Sequence, residues 1–120
     1  MDLSYTPEQE AFRKQVSQWL KANTPREKDG PAVEYGNPER IERLKDWQRT
    51  LYAAGYLAMG WPAEYGGQGA DVIHQTIVNE ELVLARAPAL VGILGIQMVG
   101  PTLIQHGTEA QKKRFLPRIL

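Results

Sequence analysis

Two histidines, an adjacent acidic pair, a basic cluster and a glycine run are the residues in this 120-residue chain whose types suit chemistry. His74 and His106 fall in different segments, with no His-Glu-x-x-His, no Glu-x-x-His and no cysteine beside them. A zinc-type ligand set is therefore not assembled, and His106 reads as a side chain favoured by the negative end of a helix. Glu80-Glu81 has the residue types of an acid/base pair. Neighbours on a helix point about 100° apart, so the two carboxylates cannot share one substrate atom. One is expected to face solvent and the other to pair inside the fold. Lys112-Lys113-Arg114 reads first as a solvated helix face, and second as a contact for a phosphate or a partner. Gly66-Gly67-Gln68-Gly69 sits before a helix, the place for a phosphate cradle. No strand precedes it and no Lys-Ser/Thr follows, so a tight turn is the stronger reading. Gly92, Gly95 and Gly100 allow close approach, by a neighbouring helix as the default or by a ligand.

Composition removes whole classes of function. Lys plus Arg is 14 and Asp plus Glu is 14, giving a formal net charge of zero. A nucleic-acid binder draws most of its affinity from a basic excess, which is missing here. Hydrophobic residues make up 42%, too many for a disordered chain. The absence of cysteine excludes disulfide scaffolds, thiolate metal sites and cysteine nucleophiles, and fits a cytoplasmic setting. The N-terminus has no basic region followed by an apolar one, so no secretory signal is visible. Between Ala87 and Thr108 there is no charged residue. A bilayer span needs about 20 predominantly apolar residues. Gly92, Gly95, Gly100, Pro88, Pro101, Gln97, Gln105 and His106 interrupt this run, so it is expected to be a buried helix and not a membrane span.

Helix punctuation sets out the elements. Thr6-Pro7 with Gln9 is a cap, a first-turn proline and a capping-box partner. Phe12, Val16, Trp19 and Leu20 then form one apolar stripe, and Thr24-Pro25 stops the helix near Ala22. Residues 24–37 read as loop. Asn37-Pro38 opens a second helix carrying Ile41, Leu44, Gln48, Leu51 and Tyr52, closed by Gly55. Residues 56–70 are irregular. Asp71 caps a third helix running to about Arg86, with an apolar face of Ile73, Ile77, Val78, Leu82, Leu84 and Ala85. A fourth, apolar helix is expected from near Pro88, kinked or restarted at Pro101 and ended by Gly107. Thr108 with Gln111 repeats the capping box and opens a fifth helix bearing Phe115, Leu116, Ile119 and Leu120. No alternating run is long enough for a strand. The fold class is all-α, a bundle of about five helices in one domain, 1–120. The sequence ends within an apolar pattern at Phe115–Leu120, which leads us to expect the first part of a longer polypeptide.

Several segments together resemble a known family. They are Tyr-Thr-Pro-Glu-Gln-Glu-Ala-Phe-Arg at 5–13, Gly-Trp-Pro-Ala-Glu-Tyr-Gly-Gly-Gln-Gly at 60–69, Asn79-Glu80-Glu81-Leu82, Gly100-Pro101, and Gly-Thr-Glu-Ala-Gln-Lys-Lys-Arg-Phe-Leu-Pro at 107–117. In this order and spacing the chain resembles, over essentially its whole length, the N-terminal helical domain of flavin-dependent acyl-CoA dehydrogenases. The Gly-Pro near 100 and the N-terminal segment are most similar to actinobacterial-type members, some of which handle branched or steroid-derived acyl-CoAs.

The resemblance implies a larger protein with a β-domain and a C-terminal bundle, usually tetrameric, homo- or hetero-oligomeric. It implies FAD, held mainly by regions outside this chain. It implies α,β-dehydrogenation of an acyl-CoA substrate, with electrons passed to an electron-transfer flavoprotein. The family's catalytic glutamate lies beyond residue 120; Glu64, Glu80, Glu81 and Glu109 do not match it. No catalytic, cofactor-binding or metal residue is thus expected here. One wall of the acyl pocket carries over, from the apolar helix before the Gly-Thr segment, which places Ala89, Ile93, Leu94 and Gln97 on it. Gln97, the one polar residue between Pro88 and Pro101, either sets the polarity of that wall or hydrogen-bonds within the bundle. A different class of function, a non-catalytic assembly module or the flavin-free partner subunit of a paired dehydrogenase, stays open. So does an oxidase or monooxygenase relative on the same fold.

Overall fold

A computed structural model describes residues 4–26 and 35–120. Its helices are α1 (Pro7–Asn23), α2 (Pro38–Ala53), α3 (Val72–Leu84), α4 (Gly100–His106) and α5 (Glu109–Ile119). A 3-10 turn at Ala63–Tyr65 and a wide, π-type turn at Gly95–Val99 complete the order, and no strand occurs among the described residues. The expected loop at 24–37 lies mostly outside the described residues.

The caps form as the side chains dictate. Thr6 accepts from the Gln9 amide at 3.2 Å while Gln9 accepts from the Thr6 amide at 2.9 Å. Thr108 and Gln111 repeat this reciprocal pair at 3.2 and 2.9 Å. Asn37 accepts from the Arg40 amide, and Asp71 from the His74 amide. Each cap satisfies an amide that the helix cannot, worth about 1 kcal/mol.

The core joins four elements and one loop. Val16 and Leu20 of α1, Trp47 and Leu51 of α2, Val78 of α3, Leu57 and Ile96 are all buried in one cluster. Trp19 stacks on Trp47 at a centroid distance of 6.1 Å and meets Tyr56 edge-on at 5.2 Å. α1 lies against α3, and α4 packs on the wide turn and on α5.

Two expectations change. The fourth helix does not begin near Pro88: residues 87–90 are irregular, and helical geometry starts at Ile93. Arg86, in the left-handed region at φ 52°, turns the chain out of α3. The Gly92 amide is then held at 2.9 Å by the buried side chain of Gln48, from α2. That bond takes the amide that a helix from Pro88 would give to the Pro88 carbonyl, and the entry stays irregular. The α3 face is also narrower than its apolar residues suggest. Ile77 and Val78 are buried, while Ile73, Val83 and Leu84 are exposed, Leu84 to 71%. α5 hides Leu116 and leaves Phe115 41% exposed.

Candidate functional site

The charge-free stretch before α4 is the centre of interest, and its shape comes from Trp61. The Trp61 amide donates to the Ala58 carbonyl at 3.0 Å, and its own carbonyl accepts from the Gly69 amide at 2.9 Å. Gly67 lies so close that a Cβ there would come within 2.0 Å of the Trp61 carbonyl oxygen. The indole then lies across Gly100, where a Cβ would meet its Cζ2 at 2.0 Å. Its Nε1–H donates to the Ile96 carbonyl at 3.3 Å, a buried contact. The Trp-Pro and Gly-Pro segments, 39 residues apart in the chain, are therefore one joint.

Around this joint the four candidate wall residues separate. Ile93 and Leu94 open the helical stretch on an exposed face, at 40% and 65% exposure. Met98 and Val99 are exposed beside them in sequence, at 62% and 50%. Gln97 lies in the wide turn and lines a cleft of about 440 Å³ together with Trp61, Gln75, Asn79, Pro101 and Gln105. Ile93, Leu94 and Ala89 do not line it. Ala89 is half-buried in the irregular segment that precedes the helix. The expectation that all four share one helix thus fails for Ala89, because the chain is not helical there. Trp61 and Gln48 were missed because their contacts are long-range.

The acidic pair finds one shared partner. Arg13 of α1 donates to Glu81 at 3.0 Å with one terminal nitrogen and pairs with Glu80 through the other. Glu81 is buried and Glu80 about half exposed, so the expected split between an inward and a solvent-facing carboxylate holds. Tyr5 donates to Glu80 at 3.3 Å, and the guanidinium sits 4.6 Å from the Tyr5 ring centre. The Glu80 hydrogen bond raises the Arg13 pKa above its ordinary value, against the opposing effect of desolvation. A guanidinium engaged this way is a clamp between two helices, with both terminal nitrogens paired to carboxylates and its buried Nε–H left without a partner.

The remaining candidates are structural. His74 Nδ1 lies 2.8 Å from Asp71 Oδ1, and its ring meets Phe12 edge-on at 4.8 Å. The His74 amide, and then its side chain, hold the Asp71 carboxyl below the usual carboxylate range. His106 closes α4. No group of three potential metal ligands exists among the described residues. Of the basic cluster, Lys112 is the inward member: its ammonium lies 3.3 Å from Glu109, 3.4 Å from the Tyr65 hydroxyl and 5.4 Å from the Tyr65 ring centre. Desolvation works to lower its pKa, and the bonds to Glu109 and Tyr65 together outweigh it, so the net direction is upward. The glycine run does not fit a phosphate. Gly66 abuts Leu120 and the Tyr52 hydroxyl, and Gly67 abuts Trp61, so the space beside both is filled by protein. Gly66 and Gly67 therefore offer no open cradle for a flavin's diphosphate, while Gly69 has open space beside it, and no step through that cofactor is assigned to this run. No helix among the described residues is long and apolar enough to cross a membrane.

The family described as "Acyl-CoA dehydrogenase, N-terminal domain" matches residues 6–120. The chain belongs to this family. An acyl-CoA dehydrogenase named IpdE1 from Mycolicibacterium smegmatis is 41% identical over 119 residues, covering 94% of this chain and 30% of the relative. The structure of the ChsE4-ChsE5 complex from Mycobacterium tuberculosis superposes with a TM-score of 0.71 at 37% identity, covering 99% of this chain and 29% of that one. A second structure, "Tcur3481-Tcur3483 steroid ACAD", reaches 0.79 at 30% identity, with 99% and 30% covered. The chain thus spans about 30% of the length of the curated relatives it matches. As an acyl-CoA dehydrogenase N-terminal domain it has the helical architecture expected from its sequence. The two motifs most characteristic of that resemblance, around Trp61 and around Thr108, are respectively a loop that braces the wide turn and a helix cap.

Proposed function

We propose that this domain is the N-terminal part of an FAD-dependent acyl-CoA dehydrogenase that carries out α,β-dehydrogenation of an acyl-CoA thioester. Its own contribution is one wall of the acyl pocket, formed around Ala89, Ile93, Leu94 and Gln97. In this reading the flavin and the base that takes the α-proton belong to other regions of the protein. An electron-transfer flavoprotein is the acceptor, and the setting is cytoplasmic. The observation that carries the proposal is the uncovered apolar face of Ile93 and Leu94 on a charge-free helix, in a chain of this family. An alkyl or ring system needs an apolar wall with few polar groups. Gln97 is the one polar side chain within the turn; it lines the adjoining cleft, which Ile93 and Leu94 do not, and would orient a substituted acyl chain where that chain reaches the cleft.

Ile93→Trp tests the wall. Ile93 is 40% exposed within this domain, so the larger ring projects outward and does not overpack its core. In the full-length protein kcat/KM should fall for long acyl-CoAs relative to short ones, at about 0.8 kcal/mol per lost methylene contact. Flavin content should not change. A visible flavin band that bleaches with acyl-CoA supports the dehydrogenase reading; its absence would remove it.

A second reading, assembly with a paired chain, is favoured by α3. Val83 and Leu84 stand exposed at 77% and 71% beside a cleft also lined by Asn79 and Glu80. We infer that this face takes part in a homo- or hetero-tetramer, including the case in which this subunit is the flavin-free partner. Leu84→Lys should lower the assembled mass in light scattering, and an unchanged mass would discard this role for α3.

A further inference from the structure

The wide turn at Gly95–Val99 has an uncommon hydrogen-bond problem. Gly100 donates its amide to the Gly95 carbonyl, five residues back. In a regular helix that amide would serve Ile96 instead. In the wide register the donor for Ile96 would be residue 101, which is proline and has no N–H. The regular register would thus give the buried Ile96 carbonyl a backbone donor and the wide register leaves it without one, and a buried carbonyl without a donor is costly. The Trp61 indole supplies the donor, at 3.3 Å. It is held for the task by its own two backbone bonds and by Gly100, whose missing side chain gives it room.

One extra residue in a turn shifts the phase of the helix before it by roughly one residue's rotation, about 100°. Ile93 and Leu94 lie immediately before the wide turn. The turn thus decides which direction they face relative to α4. We propose that Trp61 is a positioning residue that holds the wide turn and thereby sets which acyl groups the Ile93–Leu94 face accepts. The proposal rests on the acyl-wall reading above.

The test is a pair of substitutions in the full-length holoenzyme. Trp61→Phe keeps an aromatic ring and removes the N–H. Pro101→Ala creates an amide at the position whose bond in the wide register would reach Ile96. Trp61→Phe should change the ratio of kcat/KM for long against short acyl-CoAs by about fivefold or more, the equivalent of about 1 kcal/mol. It should also speed hydrogen exchange at the Gly100 amide. Adding Pro101→Ala should return the ratio to within about twofold of the parent, since one hydrogen bond to a buried acceptor is replaced by another. A uniform loss for all chain lengths that Pro101→Ala does not rescue would reduce Trp61 to core packing and overturn the proposal. If Ile93→Trp shifts the ratio and Trp61→Phe does not, the acyl wall stands and the positioning role fails, even with faster exchange at Gly100. If neither shifts it, the acyl-wall reading itself has failed, and the proposal falls with it.

Discussion

Arg13→Met separates a structural clamp from a decorative ion pair. The guanidinium bridges α1 to both glutamates of α3, but the two carboxylates are not equivalent. The Glu81 side chain is 8% exposed and the Glu80 side chain 47%. Methionine keeps most of the apolar stem of Arg13, so the loss is chiefly of charge and hydrogen bonds. Removing one partner of a fully buried pair costs about 3–5 kcal/mol. Arg13 is itself 22% exposed, so water reaches the site. We therefore expect about 2–3 kcal/mol, just below that range. Glu80→Gln, at an exposed carboxylate, should cost no more than about 1 kcal/mol. Against a total stability of about 5–15 kcal/mol the difference is readily resolved in urea titrations followed by far-ultraviolet dichroism. Glu81→Leu in the Arg13→Met background removes the stranded charge and should restore most of the loss. The reasoning is refuted if Arg13→Met costs no more than Glu80→Gln, or if the double variant is no more stable than Arg13→Met alone.

Three further outcomes follow from the same contacts. Gly100→Ala places a Cβ 2.0 Å from Trp61 Cζ2, so the urea midpoint should drop by the equivalent of at least about 1–3 kcal/mol for overpacking; a parental midpoint would mean the indole moves aside freely. The Asp71 carboxyl, depressed by the His74 amide, adds stability that is present above about pH 4 and lost as pH falls through its folded-state value. Asp71→Asn keeps a capping oxygen that does not titrate, and should flatten the acid limb of a pH-stability curve; an unchanged limb would assign acid loss to other groups. The 120-residue chain, in which Tyr52, Trp61 and Leu120 fill the space beside Gly66 and Gly67, should neither retain FAD in equilibrium dialysis nor reduce an electron acceptor with acyl-CoA, and stoichiometric binding would contradict this.

What was legible in the sequence was whatever is decided within four residues. Thr6-Pro7-x-Gln9, Asn37-Pro38, Asp71 and Thr108-x-x-Gln111 each bind an amide three positions on, so residue type and spacing suffice to place the helix starts. The stripe of Val16 and Leu20 was legible for the same reason. Face width on α3 was not, since Ile77 and Leu84 differ in burial without differing in hydrophobicity. Only the neighbours that cover α3 decide that, and they come from α1, more than 50 residues earlier.

The start of the fourth helix failed for a more instructive reason. Pro88 is an acceptable first-turn residue, and the apolar run after it has no local feature that forbids a helix. What competes with it is a side chain on α2: Gln48 takes the Gly92 amide that such a helix would use. The wide turn has the same character. Pro101 announces a missing donor, which a local reading takes as a kink or a fresh start. The chain does both, because a donor 35 residues away satisfies the Ile96 carbonyl left over. Glycine at 100 then has a reason that no glycine rule within a helix supplies: it is the floor under Trp61. The candidate wall inherits this dependence. Its apolar character is written in residues 89–99, but its direction is written at residue 61. A change in the Trp-Pro loop should therefore alter what the wall presents without touching a single residue on it.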